Sequence, residues 1–494
     1  MTRIPLILSL LALLPASAIA QNTWYVPDDF PTIQAGIDGS VNGDTMIVRD
    51  GTYFENINFN GKAITLKSEN GPATTTIDGN QAGSVVRIES GEGSDSVFEG
   101  FTVLNGTGTI TTTITRGGGF YCYDSSPTIN NCTFIGNTAD YGGGMFCFLS
   151  SPTLNDCVFV ENNGKTGAGM YCHTGSSPIL NTCTFEKNTA GSQSVIGAGG
   201  GMSISSGNSS PILNNCTFRE NRALGRGFGR GGAISAAVLN APKLNNCVFT
   251  DNTAELGGGA IYLYDSTMMI TNCTFVNNAA TDSSAGKGGG LYSYTANPTV
   301  TNTIFWNNFA TTGPEVHKQY GSWLIAYCDI KGITSGTGNI DSDPLFVDSA
   351  NEDFHLQSSS PCIDAGNPNA DLDPDGTRAD MGAIYYDQGS GSSPTLSVNN
   401  LIAGHQVLVE ITNATPSNNC HFAWSLRGGG PTPTPWGDAL VSRPYTLKML
   451  STDSTGYASY TANIPPAAAG ITVWFHGTDV GTQSMLNALM LVIQ

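Results

Sequence analysis

The chain has 494 residues, with 20 Lys and Arg against 39 Asp and Glu; the formal charge of −19 makes phosphate backbones and anionic lipid heads poor partners and argues against nucleic acid. Gly occupies 61 positions and only 12% of residues are charged, a composition of short strands and turns, so the expected class is all-β. Length alone counts no domains, because repeat folds grow in one dimension.

Residues 1–20, "MTRIPLILSLLALLPASAIA", combine a basic Arg3, an unbroken apolar core and an A-x-A end at Ala18–Ala20, the pattern of a cleaved secretory signal. Cleavage before Gln21 leaves no stretch approaching the roughly 20 apolar residues of a bilayer span. The expected mature protein therefore has no transmembrane segment and is secreted, extracellular or cell-surface. Neutral glycans, cations or proteins remain as partner classes.

A repeat governs residues 131–308. Its copies read "NCTFIGN", "DCVFVEN", "TCTFEKN", "NCTFREN", "NCVFTDN", "NCTFVNN" and "NTIFWNN", spaced 25 to 33 residues apart. Phe follows two residues after the Cys position (Phe134, Phe159, Phe185, Phe218, Phe249, Phe275, Phe305) and Asn five after it (Asn137, Asn162, Asn188, Asn221, Asn252, Asn278, Asn308). Each copy leads into a glycine cluster such as "GGGMFC". A fixed period of this size with no helical pattern marks a solenoid, in which no coil buries its apolar side without neighbours.

Within a copy, Ile129, Cys132 and Phe134 break the two-residue alternation of a single strand. A sharp bend at Asn130–Asn131, where Asn tolerates left-handed geometry, restores it by dividing the segment into two short strands. The glycine cluster turns the chain again, and Met145–Phe148 forms a third strand. The prediction is a right-handed parallel β-helix with three strands per coil, like residues stacking in columns about 4.8 Å apart. The Cys positions then fall side by side in the interior, and mostly free thiols are expected rather than a disulfide framework.

The opening segment from Thr23, "TWYVPDDFPTIQAGIDGSVNGDTMIVRDGTYFENI", resembles the start of bacterial β-helix proteins of the pectin-lyase-like superfamily, with "PTIQAGI" as a short capping helix. The Phe-x-x-Asn and Gly-Gly-Ala-Ile pairs are similar to repeats of chlamydial polymorphic outer-membrane proteins, although a C-terminal membrane barrel is lacking. "SPCIDAGNPNADLDPDGTRADMGAIYY" (360–386) resembles the closing segment of secreted bacterial β-helix proteins. These resemblances span about residues 24–386. They imply the fold and admit a polysaccharide lyase or glycoside hydrolase. The paired aspartates and arginine of pectin methylesterases, the Asp-Asp and Gly-His-Gly pattern of polygalacturonases and the calcium-and-arginine cluster of pectate lyases are not recognisable here. A Gly/Ser linker, "DQGSGSSP" (387–394), separates the β-helix (21–386) from residues 395–494, whose alternating runs "HQVLVEIT" and "GITVWF" predict a small β-sandwich.

No catalytic residue is assigned: His173, His317 and His355 stand alone in the sequence and read as surface residues. The strongest binding signal lies at outward positions of the third strand, where Tyr121, Phe146, Tyr171, Tyr262 and Tyr292 form one column and Tyr123, Phe148, His173, Tyr264 and Tyr294 its neighbour. Ser203, Ser205 and Ser235 interrupt this track. An exposed aromatic track suits the apolar faces of sugars, which makes polysaccharide or cell-surface glycan the expected ligand of a carbohydrate-binding surface. A brace for the sheet is the bland alternative. Arg219, Arg222, Arg226 and Arg230, with Glu220, lie in the longest inter-repeat insertion and read as a solvated loop or an anionic-polymer site. Asp371, Asp373 and Asp375 alternate before Gly376 like the first half of a calcium loop, but position twelve is Gly382 where a bidentate Glu is needed. Calcium is the one cofactor candidate. The expectation is an exported binding or surface-interaction protein, with a polysaccharide-degrading enzyme and a structural envelope protein as the competing readings.

Overall fold

The structure, a computed structural model, describes residues 21–494 apart from 226, 389–393, 416–417, 428–430, 435–436, 443–444, 454–455, 482–483 and 487. The expected export segment and most of the expected linker lie outside the described residues. Two units are present: one ends at Pro242 and takes in Thr253–Leu256, the other comprises Lys243–Asn252 and Gly257–Gln494.

In the first unit the three strands expected of each coil recur. Thr128–Asn130, Thr153–Asn155, Ile179–Asn181 and Ile212–Asn214 pair in parallel on a first face. Thr133–Ile135, Val158–Val160, Thr184–Glu186 and Thr217–Arg219 build a second face. Phe120–Tyr123, Met145–Phe148, Met170–His173 and Met202–Ser205 build a third. To these the structure adds a short face between the second and third, made of Thr138–Tyr141, Asn163–Thr166, Thr189–Ala190 and Arg222–Ala223.

The bend between first and second faces falls where alternation requires it. Asn131, Asp156, Thr182 and Asn215 have φ of 47°, 54°, 54° and 54°, so each coil turns on a left-handed residue just before its cysteine. The turn into the third face needs glycine. Gly142 has φ 66°, and a Cβ there would stand 2.2 Å from the Met145 carbonyl oxygen.

Register holds because each coil carries the same buried side chains. Phe134 stacks on Phe159, Phe159 on Phe185 and Phe185 on Phe218 with ring centroids 4.8, 4.7 and 4.6 Å apart, all fully buried. Beside them runs a buried asparagine column. Asn137 Nδ2 donates to Asn162 Oδ1 at 3.2 Å, Asn162 Nδ2 to Asn188 Oδ1 at 3.0 Å and Asn188 Nδ2 to Asn221 Oδ1 at 2.9 Å. Each amide also donates to a backbone carbonyl of the preceding coil: Val103, Phe134 and Phe159 respectively. The column thereby satisfies backbone at a bend that water does not reach. All twelve cysteines are free and buried, and burial pushes the Cys132 thiol up to about 12.

The helix Ile33–Gly39 covers the start of the first unit. Thr32 Oγ1 accepts from Ala35 N, Glu55 accepts from the N–H groups of Ile33 and Gln34, and Ile33 and Ile37 point into the core. A solenoid end left bare would expose both apolar core and unpaired backbone.

The second unit repeats the winding. Val248–Thr250, Thr274–Val276 and Ile304–Trp306 pair in parallel, as do Ile261–Tyr264, Leu291–Tyr294 and Val316–Gln319. Phe249, Phe275 and Phe305 stack at 4.5 Å, and Asn252, Asn278 and Asn308 continue in the same style at 2.9 Å. Here the column ends on Glu315, whose Oε2 accepts from Asn308 N and Nδ2. Besides a separate antiparallel pair, Pro431–Thr434 with Gly437–Leu440, the described residues of 395–494 form two larger antiparallel sheets. One pairs Thr395–Asn399, Gln406–Thr412 and Ala458–Asn463; the other is built on Tyr445–Ser451, Asn419–Ser425 and Thr472–Asp479. Leu396, Val409, Ile411, Phe422, Val473 and Phe475 fill the core of this sandwich. Among the described residues no helix is long and apolar enough to cross a membrane.

Two tests follow from the columns. Asn162→Ala removes an acceptor for Asn137 and a donor to Phe134, leaving polar groups unpaired in a dry core. A loss of about 2–5 kcal/mol is expected in denaturant titrations. Burial raises Glu315 to about 7, against 4.5 for an ordinary Glu, so between these values the folded state holds a proton that the unfolded state has lost. Stability therefore falls as pH rises from about 4.5 to about 7 and is flat above, the carboxylate costing roughly 3 kcal/mol there. Glu315→Gln should be the more stable protein above pH 7, with its advantage shrinking as pH falls toward 4.5.

Candidate functional site

The outer side of the third face carries the aromatic residues singled out in the sequence, and it divides them into two rows of unequal standing. Alternation sends Phe120 and Cys122 into the core and Tyr121 and Tyr123 outward, and parallel register puts Phe146 and Phe148 beside them in the next coil, then Tyr171 and His173. The row Tyr121, Phe146, Tyr171 was expected to face solvent, but it is buried, at 5%, 2% and 6% exposure. In the second unit Tyr262 and Tyr292 are likewise buried, at 5% and 4%. These five residues are braces rather than contact residues.

The cover comes from the short face. Arg116 lies over the Phe146 ring at 5.6 Å, and Tyr141 stacks on Tyr171 at 5.1 Å, while the Tyr171 hydroxyl shares a 2.5 Å hydrogen bond with Ser205. In the second unit Lys287 Nζ lies 5.8 Å from the Tyr292 ring and the Tyr292 hydroxyl donates to Gln319 at 2.7 Å. Arg116, Tyr141 and Lys287 share a place in the repeat: each immediately precedes the first, left-handed glycine of its cluster, at Gly117, Gly142 and Gly288. That position was the available signal in "RGGG", "YGGG" and "KGGG".

The second row remains open. Tyr123 is 41% exposed and stacks on Phe148 at 5.1 Å and 2°, and Phe148 stacks on His173 at 5.4 Å and 20°. In the second unit Tyr264 is 39% exposed and stacks on Tyr294 at 5.7 Å. The rings of each pair are near parallel, so the row presents edges and a terminal face to solvent. His173 bonds Thr174 Oγ1 through Nδ1 at 2.6 Å and Ser206 Oγ through Nε2 at 3.0 Å. Burial and then the Arg116 charge hold its pKa below the usual histidine range, so at neutral pH it is an uncharged ring. His317 is also held low by burial and Lys287, and His355 is exposed beside Asp353 at 2.6 Å.

A cleft of about 530 Å³ opens beside Arg87 in the first unit, lined by Asn56, Gln81, Ser84, Arg87, Thr107 and Thr115 among others. Arg87 is the register partner of Tyr121, so the cleft adjoins the closed row. Glu89 pairs with Arg87 and also accepts from Asn58 Nδ2. Amide, hydroxyl and guanidinium groups beside stacked rings are the donor set that sugar hydroxyls and sugar faces require. The chain hairpin that walls this cleft, Thr109–Thr111 with Ile114–Arg116, was not anticipated from the sequence.

The remaining expectations fare differently. Arg219 closes the strand Thr217–Arg219 and is engaged with Glu186 at 2.6 Å, Arg222 opens the strand Arg222–Ala223 and is exposed, and Arg226 lies outside the described residues, so Arg219 and Arg222 belong to the coils rather than to an insertion loop. The calcium loop does not form. Asp371 is exposed and apart, whereas Asp373 Oδ2 accepts from Asp380 N and Asp375 accepts from Thr377 N, Thr377 Oγ1 and Gln388 N. Backbone amides take the oxygens that a cation would need. Burial, then the charges of Asp380, Asp375 and Asp364, raise Asp373 to about 7. Among the described residues no group of three Asp, Glu, His or Cys side chains is placed to hold a metal ion.

The profile of the family described as right handed beta helix region matches residues 37–191, 95–241 and 167–342, together more than half of the chain, and the chain belongs to this family. No curated protein matches it in sequence. Among solved structures it is similar to a pectin methylesterase in complex with a hexasaccharide, at 11% identity and TM-score 0.29, covering 57% of this chain and 90% of that one. It is also similar to a mannuronic acid specific polysaccharide family 6 lyase from human gut microbiota, at 15% identity and TM-score 0.28, covering 65% and 83%.

If Asp375 is a turn cap, Asp375→Ala lowers stability by about 1–3 kcal/mol equally with calcium or with chelator, and the melting temperature of the unaltered protein does not respond to either. A chelator-dependent melt would restore the metal.

Proposed function

We propose that this protein binds polysaccharide outside the cell through the outer side of its third face, and that it does so as a recognition module. The observation that carries the reading is the open row of near-parallel rings, Tyr123, Phe148 and His173, on the outer side of the third face. Stacked rings supply an apolar platform of fixed orientation at little entropic cost, because each is already held by its neighbour one coil away. The repeat sets the row on a rigid sheet, and the cleft beside Arg87, walled largely by turn residues, offers hydrogen-bonding groups. Two of the cations near this face are paired, Arg87 with Glu89 and Lys165 with Asp140. Export is proposed from the N-terminal apolar segment of the sequence.

A glycan array probed with the full mature chain, followed by calorimetry on the best ligand, tests the reading. Tyr123→Ala and Phe148→Ala should each weaken binding about 2–10-fold, the range of one aromatic contact, with the melting temperature little changed for the exposed Tyr123. Tyr121→Ser should instead lower the melting temperature. Release of reducing ends or unsaturated products from the bound polymer would replace this reading with an enzymatic one.

A further inference from the structure

An apolar pocket of about 410 Å³, open to solvent on one side, is lined by both sheets of the C-terminal sandwich. One wall is Val407, Val409 and Tyr460 from the three-stranded sheet, and the other is Phe422, Trp424 and Phe475 from its partner. Among the described lining residues none is charged, and Asn463, the Tyr460 hydroxyl and the Trp424 indole N–H are the polar side-chain groups. Val409, Phe422, Val473 and Phe475, packed together in the core, form its floor.

The sequence shows why the space is left. Ala462 follows Tyr460 by two residues and lines the cavity where a larger side chain would fill it. The connection "IPPAAAG" then crosses its end as a single 3-10 turn, Pro466–Ala468, contributing backbone and methyl groups but no bulk. At the rim Leu426 and Ile471 are 57% and 38% exposed, which makes the entrance apolar as well. Phe422 stacks on Trp424 at 5.6 Å, and Trp424 lies 6.1 Å from Tyr460 of the facing sheet, so the rings of the two walls meet at one end of the pocket.

We propose that this pocket binds one uncharged apolar molecule. The lack of charge follows from its lining, since a buried unpaired charge would have no partner there. The site is independent of the glycan-binding reading.

The test is titration of the full mature chain with N-phenyl-1-naphthylamine, read by fluorescence, and competition with 1-dodecanol, which separates a flat-ring preference from a chain preference. Saturable one-site binding is expected, lost at least 10-fold in Ala462→Leu and in Ala468→Leu, both of which fill the space and should melt no lower than the parent. Tyr123→Ala should leave it unchanged. As a readout free of folding effects, a diazirine analogue of dodecanol should label the segments around Val407–Val409 and Ile464–Ile471 of the unaltered protein. No saturable binding, binding indifferent to both filled variants, or labelling confined to other segments would overturn the proposal.

Discussion

Everything in the wound part of this protein depends on one constraint: a residue must lie directly above its equivalent one turn away. A buried asparagine enforces it more strictly than a buried phenylalanine, because a stack of rings tolerates sliding whereas an amide that bonds up, down and to the backbone does not. The connection between Asn188 and Asn221 shows the strength of the constraint. These residues are 33 apart in sequence, against 25 for Asn137 and Asn162, yet their amides meet at 2.9 Å and the extra chain is expelled as a surface loop. Interior and register are held constant, and variation goes outside.

This division decides where function can lie. Columns that face inward are repetitive, with buried free thiols side by side and rings stacked on rings. Outward columns are free to vary from coil to coil, and on the third face they change from Arg87 through Tyr121, Phe146 and Tyr171 to Ser203. The short face then selects which outward residues reach water. Because a left-handed glycine swings the preceding side chain over the sheet, Arg116 and Tyr141 close one row and leave the other open. A ligand-facing surface is thus made by what is left uncovered.

Much of this was legible in the chain. The Cys-x-Phe-x-x-Asn period announced coils and columns, and the broken alternation at Ile129, Cys132 and Phe134 located the bend that Asn131 makes with φ 47°. The capping helix and the inward thiols were readable for the same reason, since each answers a local need for capping or for small apolar volume. What escaped was contact between elements. That Tyr121 faces outward follows from alternation; that it is buried depends on a two- to four-residue strand too short to show a pattern. The Asp371, Asp373, Asp375 spacing misled because alternating carboxylates serve equally as turn caps, and only the position of the amides at Asp380, Thr377 and Gln388 distinguishes the two uses. The pocket of the last domain was invisible, since its lining comes from residues far apart in sequence.

The most direct test of the account is a crystal structure resolving side-chain amides in the coils from Asn137 to Asn221. The account predicts an unbroken chain of amide hydrogen bonds at 2.9–3.2 Å alongside stacked rings of Phe134, Phe159, Phe185 and Phe218. Asparagines turned out to solvent, or rings dispersed among unrelated neighbours, would contradict it and remove the rigid frame on which the open aromatic row rests.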